Sequence, residues 1–485
     1  MSHQPSVRFS RRQFLRSSSL AVAGATVALS GTKGHARVIG ANDRINIAVA
    51  GINGRGGSHI GEYLGMKDVQ ITHIIDPDSR LFASRSKTIE DKGKYKVQAV
   101  QDFRKALDDP SLDAISIATT NHWHAPMSIF AVQAGKDVYV EKPLSHNVRE
   151  GRILVELARK NNRVVQHGTQ SRASGSWAKL AKIAKDGSLG KVLVSRGLCY
   201  KGRGSIGFKE NEEPPAGVDF DLWLGPASKQ PYHKNLVHYN WHWFWDFGNG
   251  DIGNQGVHEM DKARWVANVE LPVSVFCIGG RFGYKDQGQT PNTQIAFFDY
   301  GPDKPLLVFE VRGLRTNGYL GQGVGNVTVF EKGTVSGDKN FTPTGSDKPE
   351  PLPAAEGKRG PGGQFANFIH VMRTRNRDEQ HADVLEGHMS SALCHLANIS
   401  YRMGEEVPFS KQSKSLGDNK VAVETFERMQ DHLKQNNVKL EETNYILGKT
   451  LRFDPASEQI LGDPAANKLL TREYRAPFVI PERVV

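Results

Sequence analysis

From Arg44 onward the chain alternates short apolar runs with helix-length segments that carry Ala, Leu, Lys and Arg at helical spacing. The runs are Ile45–Ala50, Val69–Ile75, Val97–Val100, Leu112–Ala118, Val138–Glu141 and Arg163–His167. Near-continuous Val/Ile runs separated by helices predict a parallel sheet covered on both faces. Six such strands make a complete doubly wound sheet, so residues 44–168 are expected to form an α/β domain that binds a dinucleotide.

Beyond about Gly168 the rhythm changes. A helical stretch, Trp177–Lys185, leads into a strand at Val192–Leu198, and further strands are predicted at Val273–Gly279, Thr293–Tyr300, Leu306–Val311 and Asn326–Glu331. No helical segment separates those last four, which predicts an open, mainly antiparallel sheet and an α+β second domain over residues 169–410. Ser336–Gly363, rich in Gly, Pro, Lys and Asp, reads as a long surface loop. Helices are expected at Gln364–Thr374 and Val384–Met403, followed by an irregular C-terminal extension, residues 411–485, that packs on the core.

Composition changes this picture only at the start. Arg11-Arg12 stand before a short apolar run, Leu20–Leu29, and a small-residue stretch at Gly34-His35-Ala36, the order of parts in a twin-arginine export signal covering residues 1–36. The run is well short of the ~20 apolar residues that span a bilayer, and no Cys follows it, so no stable membrane anchor is expected. Removing this segment takes away five Lys and Arg and leaves 58 basic against 52 acidic residues, a net charge of +6 rather than +11. That mild excess, with no basic cluster interleaved with aromatics, argues against nucleic acid. The three cysteines are widely separated and match neither a disulfide framework nor a metal-ligand spacing, so no metal is expected.

Candidate chemistry gathers at the carboxyl ends of the predicted parallel strands. After the first strand comes Gly51-Ile52-Asn53-Gly54-Arg55-Gly56-Gly57, and the second strand ends at Asp76. Glycines at a strand-to-helix turn admit a pyrophosphate at a helix N-terminus, and the acid binds the ribose 2′-hydroxyl. Asp76 would repel a 2′-phosphate, which favours NAD over NADP. Thr119-Thr120-Asn121-His122-Trp123-His124 follows the fourth strand and Glu141-Lys142-Pro143 the fifth, so both face the same crevice.

The glycine turn, the Thr-Asn-x-x-His segment and Glu-Lys-Pro, in this order and spacing, resemble the glucose-fructose oxidoreductase/inositol dehydrogenase/rhizopine catabolism (Gfo/Idh/MocA) family of oxidoreductases. The resemblance runs from Arg44 to the helices near residue 403. It implies that Lys142 sits by the nicotinamide and the reacting hydroxyl, that Glu141 contacts the cofactor, and that the Lys142–Pro143 bond is often cis. It also implies an Asp-x-x-x-His pair followed by a nearby Asp, onto which Asn254, His258 and Asp261 align, with Asn254 in the usual Asp position. A His takes a hydroxyl proton as hydride leaves. Asn254 orients but does not ionise, and Asp251 is the nearest candidate to compensate.

Together these readings give cofactor contacts at Gly51, Asn53, Gly54, Arg55, Gly56, Asp76, Thr119, Asn121, His124, Glu141, Lys142 and Gln170. Catalytic residues are Lys142, His258, Asn254 and Asp261, and substrate contacts Arg172, Trp241, His242 and Asp251. The expected activity is hydride transfer at a CH–OH group of a sugar, sugar derivative or cyclitol, with a tightly bound NAD, by a periplasmic homo-oligomer exported through the twin-arginine machinery. An NAD-dependent glycoside hydrolase that oxidises its sugar transiently, and a cofactor-stabilised binding protein, are the alternatives.

Overall fold

The computed structural model describes residues 43–409 and 416–484; the twin-arginine segment lies outside them. Six parallel strands form the first sheet: β1 (Ile45–Ala50), β2 (Val69–Ile75), β3 (Gln98–Val100), β4 (Ala114–Ile117), β5 (Asp137–Val140) and β6 (Val165–His167), in the order β3-β2-β1-β4-β5-β6. Strand order reverses between β1 and β4, which opens a crevice beyond their carboxyl ends. The four residues of β4 and of β5 are all buried, as strands covered on both faces must be. Helix Arg55–Leu64 returns along the sheet with Gly56, His59, Ile60 and Tyr63 buried, one stripe at helical spacing.

The second domain is built on β7 (Val192–Tyr200), β8 (Ser274–Gly280), β9 (Thr293–Asp299), β10 (Leu306–Arg312) and β11 (Val324–Phe330). All their pairings are antiparallel except β7 with β10. One face packs on helices Gly256–Ala267 and Val384–Arg402 through Val257, Met260, Phe309, Leu393 and Leu396. Helix Gly256–Ala267 therefore carries His258 on a rigid support.

Two expectations are corrected. The stretch read as a loop from Ser336 to Gly363 contains β13 (Asn340–Pro343), paired antiparallel with β12 (Gly333–Ser336). The tail is not irregular. Strands β14 (Glu405–Pro408), β15 (Asn444–Leu447) and β16 (Leu451–Asp454) extend the sheet from β8, and β17 (Gln459–Ile460) pairs with β16. Helix Lys420–Gln435 lays Phe426, Met429 and Leu433 on Ile278, Phe297 and Val308, the outer face of that sheet. Each such side chain contributes about 1.5–3 kcal/mol when fully buried. Arg428 adds a second anchor, its Nη2 donating to the buried Glu310 Oε1 at 2.7 Å.

Candidate active site

The glycine turn after β1 is fixed by close approach. Gly51 has φ +77°, and a Cβ there would lie 2.5 Å from Ala118 O at the end of β4. A Cβ on Gly56 would lie 1.9 Å from Gly51 O, so this glycine lets the helix start directly against the turn. Gly54 differs: nothing lies within 4 Å of its missing side chain, and it caps helix Arg55–Leu64 without any side-chain hydrogen bond. The helix's positive end and its first N–H groups are thus left facing open space. Arg85 supports the turn from behind, donating through Nε to Ile52 O at 2.8 Å.

That open space is a cavity of about 560 Å³ between the two domains. From the first domain Gly51, Asn53, Gly54, Arg55 and Asp76 line it, with Thr119, Asn121, His124, Glu141 and Lys142, and Gln170 joins them from the turn beyond β6. From the second domain come Trp241, His242, Asn254 and His258. Lys142 and His258, 116 positions apart in sequence, meet in one chamber.

Lys142 leaves β5 through a cis Lys142–Pro143 bond. Its Nζ donates to Asn254 O at 2.7 Å and to Asn254 Oδ1 at 3.1 Å. Both partners are acceptors only at these atoms, so they hold an ammonium and fix where it points. Burial pulls the Lys142 pKa below its ordinary value, and the Glu141 charge opposes that shift. Asn254 is therefore a clamp on Lys142.

Glu141 sits beneath as the counter-charge. Its Oε1 accepts from Arg55 Nε at 2.7 Å and faces His59 Nε2 at 3.2 Å. Burial pushes its carboxyl up, but His59, Arg55 and Lys142 outweigh burial and keep it ionised well below the usual carboxylate range. His59 is itself oriented by Ser116 Oγ at 2.9 Å, and Tyr63 donates to the same oxygen at 3.1 Å. These contacts preorganise the charge around Lys142 before any ligand enters.

His258 makes no side-chain hydrogen bond to the described residues. Burial, reinforced by the Lys142 charge, holds its pKa at about 3, so its imidazole is neutral at physiological pH with a lone pair free for a proton. At the other end of the cavity, Asp76 accepts from Ile52 N at 3.0 Å and Asp78 N at 2.9 Å. Burial nonetheless pushes its carboxyl up to about 6. Arg80, the next cation along, is clamped on Asp78 by bonds of 2.7 and 2.6 Å. His238 of the second domain reaches the same Asp78 at 2.9 Å and so closes the chamber over this end.

Residues 45–169 match the oxidoreductase family's NAD-binding Rossmann fold, and residues 178–278 match its C-terminal alpha/beta domain. These two segments match both domains of the Gfo/Idh/MocA oxidoreductase family. It is 32% identical over 168 residues to a levoglucosan dehydrogenase of Pseudarthrobacter phenanthrenivorans, covering 35% of this chain and 36% of the relative. A glycosyl hydrolase family 109 protein of Saccharopolyspora erythraea is 29% identical over 208 residues, covering 39% of this chain and 45% of the relative. The chain thus spans less than half the length of these curated relatives. The fold also matches the Bordetella pertussis WlbA dehydrogenase, solved with NADH and UDP-GlcNAcA, at a TM-score of 0.55 and 17% identity. That match covers 74% of this chain and 97% of the other.

Four of the residues expected in the site do not line its chamber. Arg172 and Asp261 are buried on each other: Arg172 Nε lies 2.9 Å and Nη2 2.9 Å from the carboxylate, and Ser390 Oγ donates to it at 2.7 Å. Although burial alone would raise it, this pairing draws the Asp261 pKa to about 2. The pair rivets the end of β6 to the helix that bears His258, which makes both positioning residues. Asp251 is held by Arg203 Nε and Nη2 at 2.8 and 2.6 Å, and Gly56 lies beneath the turn. The sequence reading missed His59, which repeats Arg55 one helical turn on, and His238 and Tyr239, which precede the singled-out Trp241. It also missed the apolar wall of Phe103, Met127 and Trp223.

Proposed function

We propose that this protein is an NAD-dependent oxidoreductase that removes hydride from a CH–OH carbon of a sugar, sugar derivative or cyclitol. The observation that carries the reading is the convergence of Lys142 and His258 in one chamber with a bare helix N-terminus and the Asp76 carboxylate. A nicotinamide dinucleotide fits these features: its pyrophosphate against Gly54, its ribose hydroxyls on Asp76, and its adenine beside Phe103 and Met127. Bound there, the nicotinamide supplies the hydride acceptor.

The protein's own residues supply the rest. Lys142, held by Asn254, donates to the substrate oxygen and stabilises the negative charge that grows on it. His258, neutral and unpartnered, accepts the hydroxyl proton. Clamping of Arg80 on Asp78 takes up the cation next along from Asp76, which supports NAD over NADP. The His238–Asp78 contact across the chamber supports a cofactor that leaves slowly. Such retention suits the twin-arginine route, which carries folded proteins, and the reading places the mature enzyme in the periplasm. Replacing both Arg11 and Arg12 by Lys should leave the precursor in the cytoplasm; normal periplasmic yield would remove that part.

The test is to denature the purified protein, identify the dinucleotide released, and screen sugars and cyclitols for its reduction in the holoenzyme. A keto product with reduced cofactor supports the dehydrogenase. Release of an aglycone with the cofactor unchanged would replace it with redox-assisted glycoside hydrolysis, a reading that the family 109 relative keeps in view. A protein that binds sugar and turns over none would sink both.

A further inference from the structure

Near its C-terminus the chain is tied twice to one residue of the first domain. Arg149, in the first turn of helix Val148–Lys160, donates its main-chain N–H to Leu470 O at 2.9 Å. Its side chain reaches Glu482 O through Nη2 at 2.7 Å and Nε at 3.1 Å. Just inside these ties, the Tyr474 hydroxyl donates to the buried Glu150 Oε1 at 3.0 Å and accepts from Asn147 Nδ2 at 3.1 Å. Between them Arg475 grips the second domain. Its Nε donates to Gly225 O and Ala227 O at 2.9 and 3.1 Å, its Nη2 to Asp221 O at 2.7 Å and its Nη1 to Asp221 Oδ1 at 2.8 Å. Its own N–H meets Pro226 O at 3.1 Å. Most of these acceptors are main-chain oxygens, so the grip fixes the path of residues 221–227 rather than any one side chain.

That path is a wall of the dinucleotide chamber. Leu222 and Trp223 line it together with Phe103 and Trp123 of the first domain. Trp123 joins the two domains, its Nε1 donating to Leu222 O at 3.1 Å and to Trp223 O at 3.2 Å. The fit is close, because Gly225 has φ +51° and a Cβ there would lie 2.0 Å from Trp123 Cζ2. Phe478, 1% exposed, meets the Trp123 ring edge to face at 5.0 Å between centroids, and the Arg104 guanidinium lies 5.0 Å over Phe478. Neither Arg475 nor Phe478 lines the chamber. Phe478 holds the Trp123 half of the junction and Arg475 the 221–227 half. A dinucleotide with its adenine beside Phe103 and Met127 is enclosed on this side, and parting the junction breaks both holds at once.

We propose that Arg475 and Phe478 are positioning residues for the bound dinucleotide: the strap from Leu470 to Glu482 keeps the junction of Trp123 with Leu222 and Trp223 shut, and its hold sets how slowly the dinucleotide leaves. The proposal rests on the dinucleotide reading above and assigns retention to residues that never touch the cofactor.

The test is release of the dinucleotide bound in the holoenzyme during a chase with excess radiolabelled NAD, sampled by rapid gel filtration, with thermal melts of the same samples. Arg475→Met and Phe478→Ala should each release dinucleotide at least about tenfold faster than the parent. Arg475→Lys keeps the charge and three donors, so its rate should fall between those of Arg475→Met and the parent. Leu433→Ala removes a buried side chain from the tail helix on the outer face of the second sheet. It should lower the melting temperature and leave release unchanged, which a merely structural effect of the strap would not predict. Unchanged release in both Arg475→Met and Phe478→Ala overturns the proposal. So does release that follows melting temperature through every variant, Leu433→Ala included. A protein that yields no dinucleotide on denaturation and takes up no labelled NAD overturns the dinucleotide reading itself, and the strap with it, so the two failures are told apart.

Discussion

Lys142→Met is the sharpest probe of the chamber. The substitution keeps the length and apolar stem of the side chain and removes one ammonium. It also breaks the bonds to Asn254 O and Oδ1 at 2.7 and 3.1 Å. Leaving those acceptors unmet costs about 1–3 kcal/mol, but the buried charge they served is removed as well, so the fold should persist and melt within a few degrees of the parent. Turnover is another matter, because the ammonium acts on charge that grows only as hydride departs. Loss of one preorganised donor of this kind lowers kcat by roughly 10²–10³, about 2.7–4 kcal/mol, and should lower kcat/KM by the same factor with KM unchanged. The assay is initial-rate dinucleotide reduction on protein shown by denaturation and chromatography to hold a full complement of cofactor. A loaded variant within tenfold of the parent, or one altered in KM alone, refutes the role given to Lys142.

Asp76→Ala should weaken NAD binding and narrow the discrimination against NADP; in the parent, NAD affinity should fall as pH drops through about 6, where the buried carboxyl takes its proton. Unchanged NAD/NADP preference in direct binding would remove Asp76 from the ribose site. Asn254→Asp sets a carboxylate about where Oδ1 lies, 3.1 Å from Lys142 Nζ. A gross attraction of roughly 5 kcal/mol at an effective dielectric of 20, less several for burying the new charge, should raise the Lys142 pKa. The alkaline limb of the rate profile should follow it upward; a fixed limb counts against the clamp. Burial holds His122, His242, His258 and His395 at about 3 and His167 and His432 at about 4, so at pH 5 the unfolded chain binds six protons that the folded chain refuses. Asp76 at about 6 and Glu150 at about 7 work the other way, since the fold retains protons there that the unfolded chain has mostly released. The net uptake of roughly four protons should cost about 5 kcal/mol of stability per pH unit as pH falls below the ordinary His value. Thermal melts between pH 7 and 4.5 that show no such decline would contradict the buried neutral histidines.

The first domain was legible because its strands announce themselves twice, by apolar runs and by the chemistry placed at their ends. Each of the six strands falls within about two residues of its expected bounds at each end, and the second sheet's central strands do likewise. The tail was misread for a physical reason. Helix Lys420–Gln435 buries Ala422, Phe426, Met429 and Leu433 at helical spacing, but its buried face also takes in the polar Thr425 and His432, and most other positions are charged or amide, so the apolar stripe is thin in sequence. Strands β14 to β16 are four residues each and take their stability from pairing with β8 and one another, which no local pattern reports. The β12–β13 hairpin was hidden in the same way by its Gly-, Lys- and Asp-rich turn.

At the site, legibility followed what each residue does with its neighbours. Gly51, Asp76 and Lys142 stand at strand ends, where topology alone decides what they face, so their positions could be read from order and spacing. Arg172 and Asp261 have the residue types of catalytic groups, yet each is consumed by the other; only tertiary geometry separates a charge that meets a ligand from one that rivets two elements. Asn254 shows the converse. In sequence it stands where an ionising Asp is usual, so an orienting role could be read for it but not a proton relay. In the fold, the short helix Gly250–Asn254 ends so that both its main-chain oxygen and its amide oxygen face Lys142. Half of that clamp is backbone, indifferent to the side chain, and the other half needs an acceptor but not a charge. An Asn there keeps Lys142 oriented without adding a second carboxylate to the Glu141 counter-charge, so the ammonium keeps more of its field for the oxygen from which hydride departs.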